Sequence, residues 1–143
     1  MRVFLDANIL FSAAKSDGAV RALLRLLVEG GHECWSDAYV VAEARRNLER
    51  KGPPALQTLD ALLAHVKVTA AAARAPEARA AIERATAWLP EKDRPVLAAA
   101  MALRCDVLVT GDRTHFGVGY GRSFGGVTIH SPRSLAEHVF AGG

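Results

Sequence analysis

Short apolar runs alternate with amphipathic repeats along the chain, a pattern typical of strands separated by helices. The first run, V-F-L at Val3 to Leu5, is too short for a helix. It predicts a central strand that is buried on both faces and has Asp6 at its C-terminal tip. Later runs predict four further strands, over 32–36, 65–69, 106–109 and 127–129.

A helix with one apolar face is predicted between the first two strands. Ser16 and Asp17 can cap its start, apolar residues recur at helical spacing from Val20 to Val28, and Gly30 with Gly31 ends it. Further helices are predicted from Asp37 to Lys51, after Gly52-Pro53-Pro54, from Pro76 to Leu89, after Asp93, and from Ser131-Pro132 onwards. Residues 1–143 are therefore expected to form one α/β domain, a three-layer α/β/α sandwich around a central parallel sheet of four to five short strands.

The composition is that of a folded protein, because 50% of the residues are apolar and 23% are charged. The net charge of +3 slightly favours a polyanionic partner, but it does not distinguish a nucleic-acid binder from any other basic enzyme. Cys34 and Cys105 lack metal-ligand spacing and are expected to be reduced, buried thiols. No run approaches the ~20 apolar residues of a membrane span, so we expect a cytoplasmic protein without membrane association.

Asp6 allows two interpretations. In open α/β sheets the C-terminal tips of the strands border the ligand crevice, so a carboxylate at that position is a candidate ligand. Asp6 also precedes the apolar run Ile9 to Phe11, where it can cap a helix by accepting hydrogen bonds from the free N–H groups of the first turn. The residue alone does not decide between the two.

Three other acids share this ambiguity. Asp112 also follows an apolar strand, so it meets Asp6 at one sheet edge if the two strands are neighbours. Glu43 is predicted on the apolar side of its helix, and Asp93 on the face of its helix that packs on the sheet. Singly, these residues fit a turn, a snorkelling edge residue and a helix cap. Four converging carboxylates would repel one another, however, so together they predict a site for a hard cation, Mg²⁺ or Mn²⁺.

Four motifs in order, from Val3 to about Phe116, resemble those of PIN-domain ribonucleases, and most closely the VapC-like toxins of toxin–antitoxin pairs. The motifs are L-D-A-N, V-A-E-A-R-R-N-L, D-R-P-V-L-A-A-A and L-V-T-G-D-R-T-H-F. The resemblance implies that the four acids bind metal and that Asn8, Ser12 and Thr110 support them. It also implies an RNA substrate and a possible antitoxin partner.

The predicted chemistry follows from these ligands. One cation or a pair can lower the pKa of a bound water and stabilise the departing 3′-oxygen, which leaves a 5′-phosphate and a 3′-hydroxyl. Arg113 is the preferred substrate contact, Arg94 is a second, and His115 is expected to reach a phosphate from a loop. The basic residues of the 45–51 segment fit a solvated helix face and strand-guiding contacts equally well. Those residues are Arg45, Arg46, Arg50 and Lys51.

Alternative functions are a catalytically silent module that binds RNA or protein, and an RNA-processing nuclease that is not a toxin. An aspartyl-phosphate phosphatase is disfavoured, because Asn8 stands where a second acid is needed. The loop Gly117 to Gly126 matches neither phosphate-loop template, so its role stays open.

A homodimer is also expected. Similar proteins dimerise, and two groups of leucines exceed what one small sheet needs: Leu23, Leu24 and Leu27, and Leu56, Leu59 and Leu63.

Overall fold

The computed structural model describes residues 1–70 and 76–140, and a six-stranded sheet forms its centre. The strands are β1 Arg2–Leu5, β2 Glu33–Asp37, β3 Val66–Thr69, β4 Val107–Val109, β5 Ser123–Phe124 and β6 Val127–His130. They are arranged in the order β3-β2-β1-β4-β6-β5. The predicted five parallel strands are confirmed, and the additional two-residue β5 pairs antiparallel with β6.

Helices cover both faces of this sheet, as the three-layer prediction requires. They are α1 Ala7–Lys15, α2 Ala19–Glu29, α3 Ala38–Lys51, α4 Leu56–Leu63, α5 Pro76–Thr86, α6 Arg94–Ala102, α7 Arg113–Phe116 and α8 Pro132–Phe140. On one side of β1 lie β2 and then β3, and on its other side lie β4 and then β6. Because parallel crossovers are right-handed, α1 to α4 lie on one face and α5 to α7 on the other.

The core lies where β1 and β4 meet. Val3, Phe4 and Leu5 are fully buried, and all three residues of β4 are buried, because each of these strands has neighbours on both sides and helices on both faces. The register pairs Leu5 with Val109. The carboxyl ends of the two strands therefore stop side by side, and Asp6 leaves the sheet next to Thr110.

The sequence misplaced some element boundaries. Two adjoining helices, α1 and α2, follow β1, and Gly18 rather than Ser16 or Asp17 occupies the N-cap of α2. The helix α5 ends at Thr86, three residues before the predicted Leu89. No helix among residues 1–70 and 76–140 is both long and apolar enough to cross a membrane.

The loop 117–126 is a packing element. It contains a 3-10 turn over Gly117–Gly119 and then the short hairpin of β5 and β6. A Cβ atom on Gly119 would lie 2.6 Å from Cη2 of Trp88, so glycine lets the backbone pass against that ring. Trp88 also stacks on Phe124 at 4.8 Å and meets Phe116 edge-on at 6.2 Å. The contact with Trp88 explains why position 119 is a glycine.

Candidate metal centre

Asp6 caps α1 and also belongs to a network of polar side chains. It is 5% exposed, and its Oδ1 accepts a hydrogen bond from the Ala7 N–H (2.7 Å) at the start of α1. Its Oδ2 accepts from the Thr110 hydroxyl (2.8 Å) and from the Asn8 amide (3.2 Å). The helix-cap interpretation is therefore confirmed through Oδ1, and Oδ2 is held by side chains of the polar network. Binding of a metal by Asp6 stays a prediction.

A polar network joins the ends of β1 and β4. The Asn8 Oδ1 accepts from the Gly111 N–H (2.7 Å), and the Thr110 hydroxyl accepts from the Asp112 N–H (3.2 Å). The Tyr120 hydroxyl donates to the Thr110 carbonyl at 2.8 Å. Asn8 and Thr110 thus orient Asp6 and shape the turn that carries Asp112. The hydroxyl of Ser12, also expected to support the site, makes no hydrogen bond within the described residues.

Asp93, Asp112 and His115 form a compact cluster beside this network. Their ligand atoms lie within 4.8 Å of one another. His115 Nδ1 is 2.8 Å from Asp112 Oδ2 and 3.0 Å from Asp93 Oδ2. Asp112 Oδ1 also caps α7 by accepting from the His115 N–H at 3.1 Å. The predicted loop position of His115 is wrong, because this residue lies in α7 between two acids.

Glu43 lies on α3, the helix that borders the cluster. Glu43 is half-buried. On the same helix Val40 and Ala44 are buried and Tyr39 is 41% exposed, so Glu43 lies at the edge of the buried face. Tyr39, one turn earlier on the same side, donates its hydroxyl to the carbonyl of Lys92 at 2.9 Å. That hydrogen bond ties the helix of Glu43 to the turn that carries Asp93.

The charges of these groups act on one another. Burial raises the pKa of Asp6 to about 6, the Glu43 and Asp93 carboxylates raise it too, and the Thr110 and Ala7 hydrogen bonds oppose the rise. The pKa of Asp93 is raised mainly by burial and also by Asp112, while His115 and Lys92 lower it. Asp6 is thus within electrostatic reach of Glu43 and Asp93, and Asp93 of Asp112, while a single site made of all four acids stays a prediction.

The donor set fits a hard divalent cation. Asp93 Oδ2 is buried and has no hydrogen-bond partner within the described residues, while His115 Nδ1, 3.0 Å away, is hydrogen-bonded to Asp112 Oδ2. A buried carboxylate oxygen without a donor has a lone pair available for a cation. Asp6 and Glu43 lie outside the compact cluster, and their participation in metal binding stays a prediction.

The predicted substrate contacts have different surroundings. Arg113 is exposed next to Asp112 and is free to reach a phosphate. Arg94 donates to the backbone carbonyls of Leu89 (2.9 Å) and Ala87 (3.3 Å), so at least part of its guanidinium has a structural role. Contact of either arginine with substrate stays a prediction.

Sequence reasoning missed two tyrosines that shape the site. The hydroxyl of Tyr39 holds the turn before Asp93, and that of Tyr120 holds the turn before Asp112. Tyr39 resembles a core residue in the hydrophobic pattern, and Tyr120 lies in a glycine-rich stretch with no clear pattern. Only the tertiary structure brings each hydroxyl to a carbonyl distant in sequence.

Comparison with known proteins places this site in a family. The model of the PIN domain family matches residues 2–114. No curated protein matches the sequence. Two solved structures have a similar fold. One is VapBC2 from Rickettsia felis bound to a DNA fragment from their promoter, with TM-score 0.66, 19% identity and coverage of 92% of this chain and 98% of that chain. The other is VapBC-1 from nontypeable Haemophilus influenzae, with TM-score 0.62, 14% identity and coverage of 93% and 99%.

The family model covers all four acids and the Asn8 and Thr110 positions of the network. The resemblance inferred from the four sequence motifs is confirmed at the level of the family and of the fold. The chain belongs to the PIN domain family.

Proposed function

We propose that this protein is a metal-dependent endoribonuclease that hydrolyses RNA phosphodiester bonds at the site of Asp6, Glu43, Asp93 and Asp112. The observation that carries the proposal is the cluster of Asp93, Asp112 and His115, in which the buried Asp93 Oδ2 has no hydrogen-bond partner within the described residues and His115 Nδ1 lies 3.0 Å from it. Repulsion among the acids and burial of Asp6 both disfavour the metal-free ionised site, so a cation relieves both costs.

Each residue has a defined part in the proposed reaction. Asp93 and Asp112 would hold Mg²⁺ or Mn²⁺, with Asp6 and Glu43 completing its surroundings. When bound, such a cation lowers the pKa of a water and neutralises charge that develops on the phosphate. Asn8 and Thr110 keep the Asp6 carboxylate in one orientation. Arg113 lies where it can bind a phosphate oxygen beside Asp112.

We further propose that the nuclease is the toxin of a toxin–antitoxin pair, with a small antitoxin protein as its partner. The support is the similarity of the fold, over more than nine-tenths of the chain, to chains from two VapBC structures. Induced expression in a bacterial host should stop growth, and Asp112→Asn should remove that effect. Normal growth with a soluble, RNA-cleaving wild type would favour an RNA-processing nuclease instead.

The nuclease proposal is tested by incubating labelled RNA with the protein in Mn²⁺, in Mg²⁺ and in EDTA. Cleavage should require the cation and should leave 5′-phosphate and 3′-hydroxyl ends. Asp112→Asn should abolish it, because an amide is a poor hard-cation ligand. The control Asp17→Asn removes an acid that is 72% exposed and is not one of the four, and it should cleave normally. Undiminished cleavage in EDTA, or ends with a cyclic phosphate, would refute the mechanism.

A further inference from the structure

The outer surface of α3 carries an ordered row of four side chains that begins at the acidic site. Tyr39, Glu43, Arg46 and Arg50 are spaced by four, three and four residues, so they lie in one line along the helix. The line is roughly 16 Å long at 1.5 Å per residue. Its other members, Tyr39, Arg46 and Arg50, are exposed, and only Glu43 is half-buried.

The two arginines of this row are free, unlike their neighbour on the same helix. Arg45 points away from the row and pairs with Asp60 of α4 at 2.6 Å. Neither Arg46 nor Arg50 forms an ion pair with any residue in 1–70 or 76–140. Of the four basic residues that the sequence left equivalent, Arg45 thus has a structural partner, whereas Arg46 and Arg50 in the row have no ion-pair partner within 1–70 and 76–140.

Tyr39 is an aromatic surface held in a fixed position. The residue is 41% exposed, and the hydrogen bond from its hydroxyl to the Lys92 carbonyl at 2.9 Å restricts rotation of the side chain. A fixed, exposed ring costs little entropy on binding and is suited to stacking against an unpaired base. The paired bases of a duplex are already stacked and do not offer such a face.

We propose that the row formed by Tyr39, Arg46 and Arg50 is the track for a single-stranded segment of RNA, with one base stacked on Tyr39 next to the acidic site and the adjoining phosphates bound by the two arginines. This inference rests on the proposed nuclease function. An aromatic platform followed by cations along one line is the arrangement that recognises a single strand by stacking and charge. Glu43 lies within the line, so a divalent cation at the site should strengthen RNA binding.

The track is tested by measuring fluorescence anisotropy of a labelled single-stranded RNA of about 12 nucleotides, in Ca²⁺, with intact RNA verified on a gel. Tyr39→Leu should weaken binding by about five- to 150-fold, the range for loss of one stacked base. Tyr39→Phe keeps the ring and should restore affinity to within about threefold of wild type. Arg46→Gln and Arg50→Gln should each reduce the slope of log affinity against log salt by about 0.7, as expected for one lost phosphate contact.

Arg45→Gln is the matched control, since it removes the same charge from the same helix outside the row and should leave the salt slope unchanged. Equal salt slopes for Arg45→Gln and Arg46→Gln, or wild-type RNA affinity in Tyr39→Leu, would overturn the track. Either result would leave this face to a protein partner instead. Cleavage of the same RNA in Mn²⁺ separates the two proposals. If the wild type binds RNA through the row but does not cleave it, only the nuclease proposal is refuted. If substitutions at all three positions of the row leave cleavage unchanged, only the track is refuted.

Discussion

Several groups of the candidate site depend on the hydroxyl of Thr110. It donates to Asp6 Oδ2 at 2.8 Å and accepts from the Asp112 N–H at 3.2 Å. Its hydrogen bond lowers the pKa of Asp6 and thereby opposes the rise caused by burial. A hydroxyl at this position therefore favours the ionised carboxylate that a cation needs.

We expect Thr110→Val, which keeps the shape and removes the hydroxyl, to raise the pKa of Asp6 further. The acid limb of the pH–rate profile should move to higher pH, and the Mn²⁺ concentration for half-maximal cleavage should rise roughly 10- to 100-fold. Thr110→Ser keeps the donor and serves as the control. A Val variant whose Mn²⁺ titration and pH profile match the wild type would show that the hydroxyl does not act on the site.

Asp6 should also make the metal-free protein less stable at neutral pH. Its folded pKa of about 6 exceeds the unfolded value of 3.8, so the folded state holds the proton more tightly and ionisation destabilises it. The stabilisation that comes from tighter proton binding by the folded state is fully present below about pH 4 and is lost as the pH rises through about 6. At higher pH the contribution of Asp6 no longer changes with pH. Between pH 5 and pH 7 the loss amounts to roughly 1 kcal/mol.

Urea unfolding in EDTA at pH 5 and pH 7 tests this sign. Asp6→Asn should show a smaller decrease in unfolding free energy from pH 5 to pH 7 than wild type, by that roughly 1 kcal/mol. Asp17→Asn, at an exposed position, should follow the wild type. The absolute stability of Asp6→Asn is a separate matter, since its new amide would face the Asn8 amide that now donates to Asp6. Identical pH dependence in Asp6→Asn and wild type would contradict the raised pKa.

The site acids were predictable because their positions relative to strands and apolar faces are set by local periodicity. Asp6 and Asp112 each follow a strand, and β1 and β4 are indeed neighbours. His115 was not predictable in the same way. Its helix α7 has four residues and no apolar periodicity, and the direction of its ring depends on contacts with residues distant in sequence, such as Asp93.

At the scale of elements, the loop 117–126 shows why glycine content is ambiguous in a sequence. The close approach of Gly119 to Trp88 depends on the end of α5 and the turn after it, which lie about thirty residues earlier in the chain. Periodicity describes single elements well, and it predicted both ends of α3 to within one residue. It carries no information about where two irregular segments meet, so the packing role of the loop required the structure.

We expect Gly119→Ala to lower the free energy of unfolding by about 1 to 3 kcal/mol, since the added methyl group must displace the Trp88 ring or the Ile129 side chain. Gly117→Ala is the matched control two residues away. A Cβ there would lie 3.9 Å from its nearest neighbour, Cβ of Arg113, which is an ordinary contact. Urea titrations followed by tryptophan fluorescence compare the two. Equal midpoints would mean that the loop accommodates the methyl group and is not a close-packed element.

At the scale of the whole molecule, the leucines that suggested a homodimer are largely used within the chain. Leu23, Leu24, Leu27 and Leu59 are 0 to 5% exposed, and Leu56 and Leu63 are partly buried against the core, so all six pack within the chain. The dimer therefore loses that argument and stays a prediction from the resemblance alone. Light scattering over a range of protein concentrations tests it, and a monodisperse monomer at high micromolar concentration would refute it.

Metal binding should stabilise the whole fold, because the proposed ligands join four parts of it. Asp6 follows β1, Glu43 lies on α3, Asp93 precedes α6 and Asp112 precedes α7. A cation that binds only when these elements are assembled adds RT ln(1 + [L]/Kd), roughly 2.7 kcal/mol at a hundred-fold excess over Kd. For a domain of this size that corresponds to a rise of several degrees in Tm.

Thermal melting with and without Mn²⁺, at neutral and mildly acidic pH, measures this linkage without requiring catalysis. The gain in Tm should be smaller at acidic pH, because protons compete with the cation for Asp6. Asp112→Asn should lose most of the gain. It should keep the metal-free stability of wild type, since the retained oxygen can still cap α7 by accepting from the His115 N–H. If Mn²⁺ leaves the wild-type Tm unchanged, or if the Asn variant melts well below metal-free wild type, the four acids do not form one cation site.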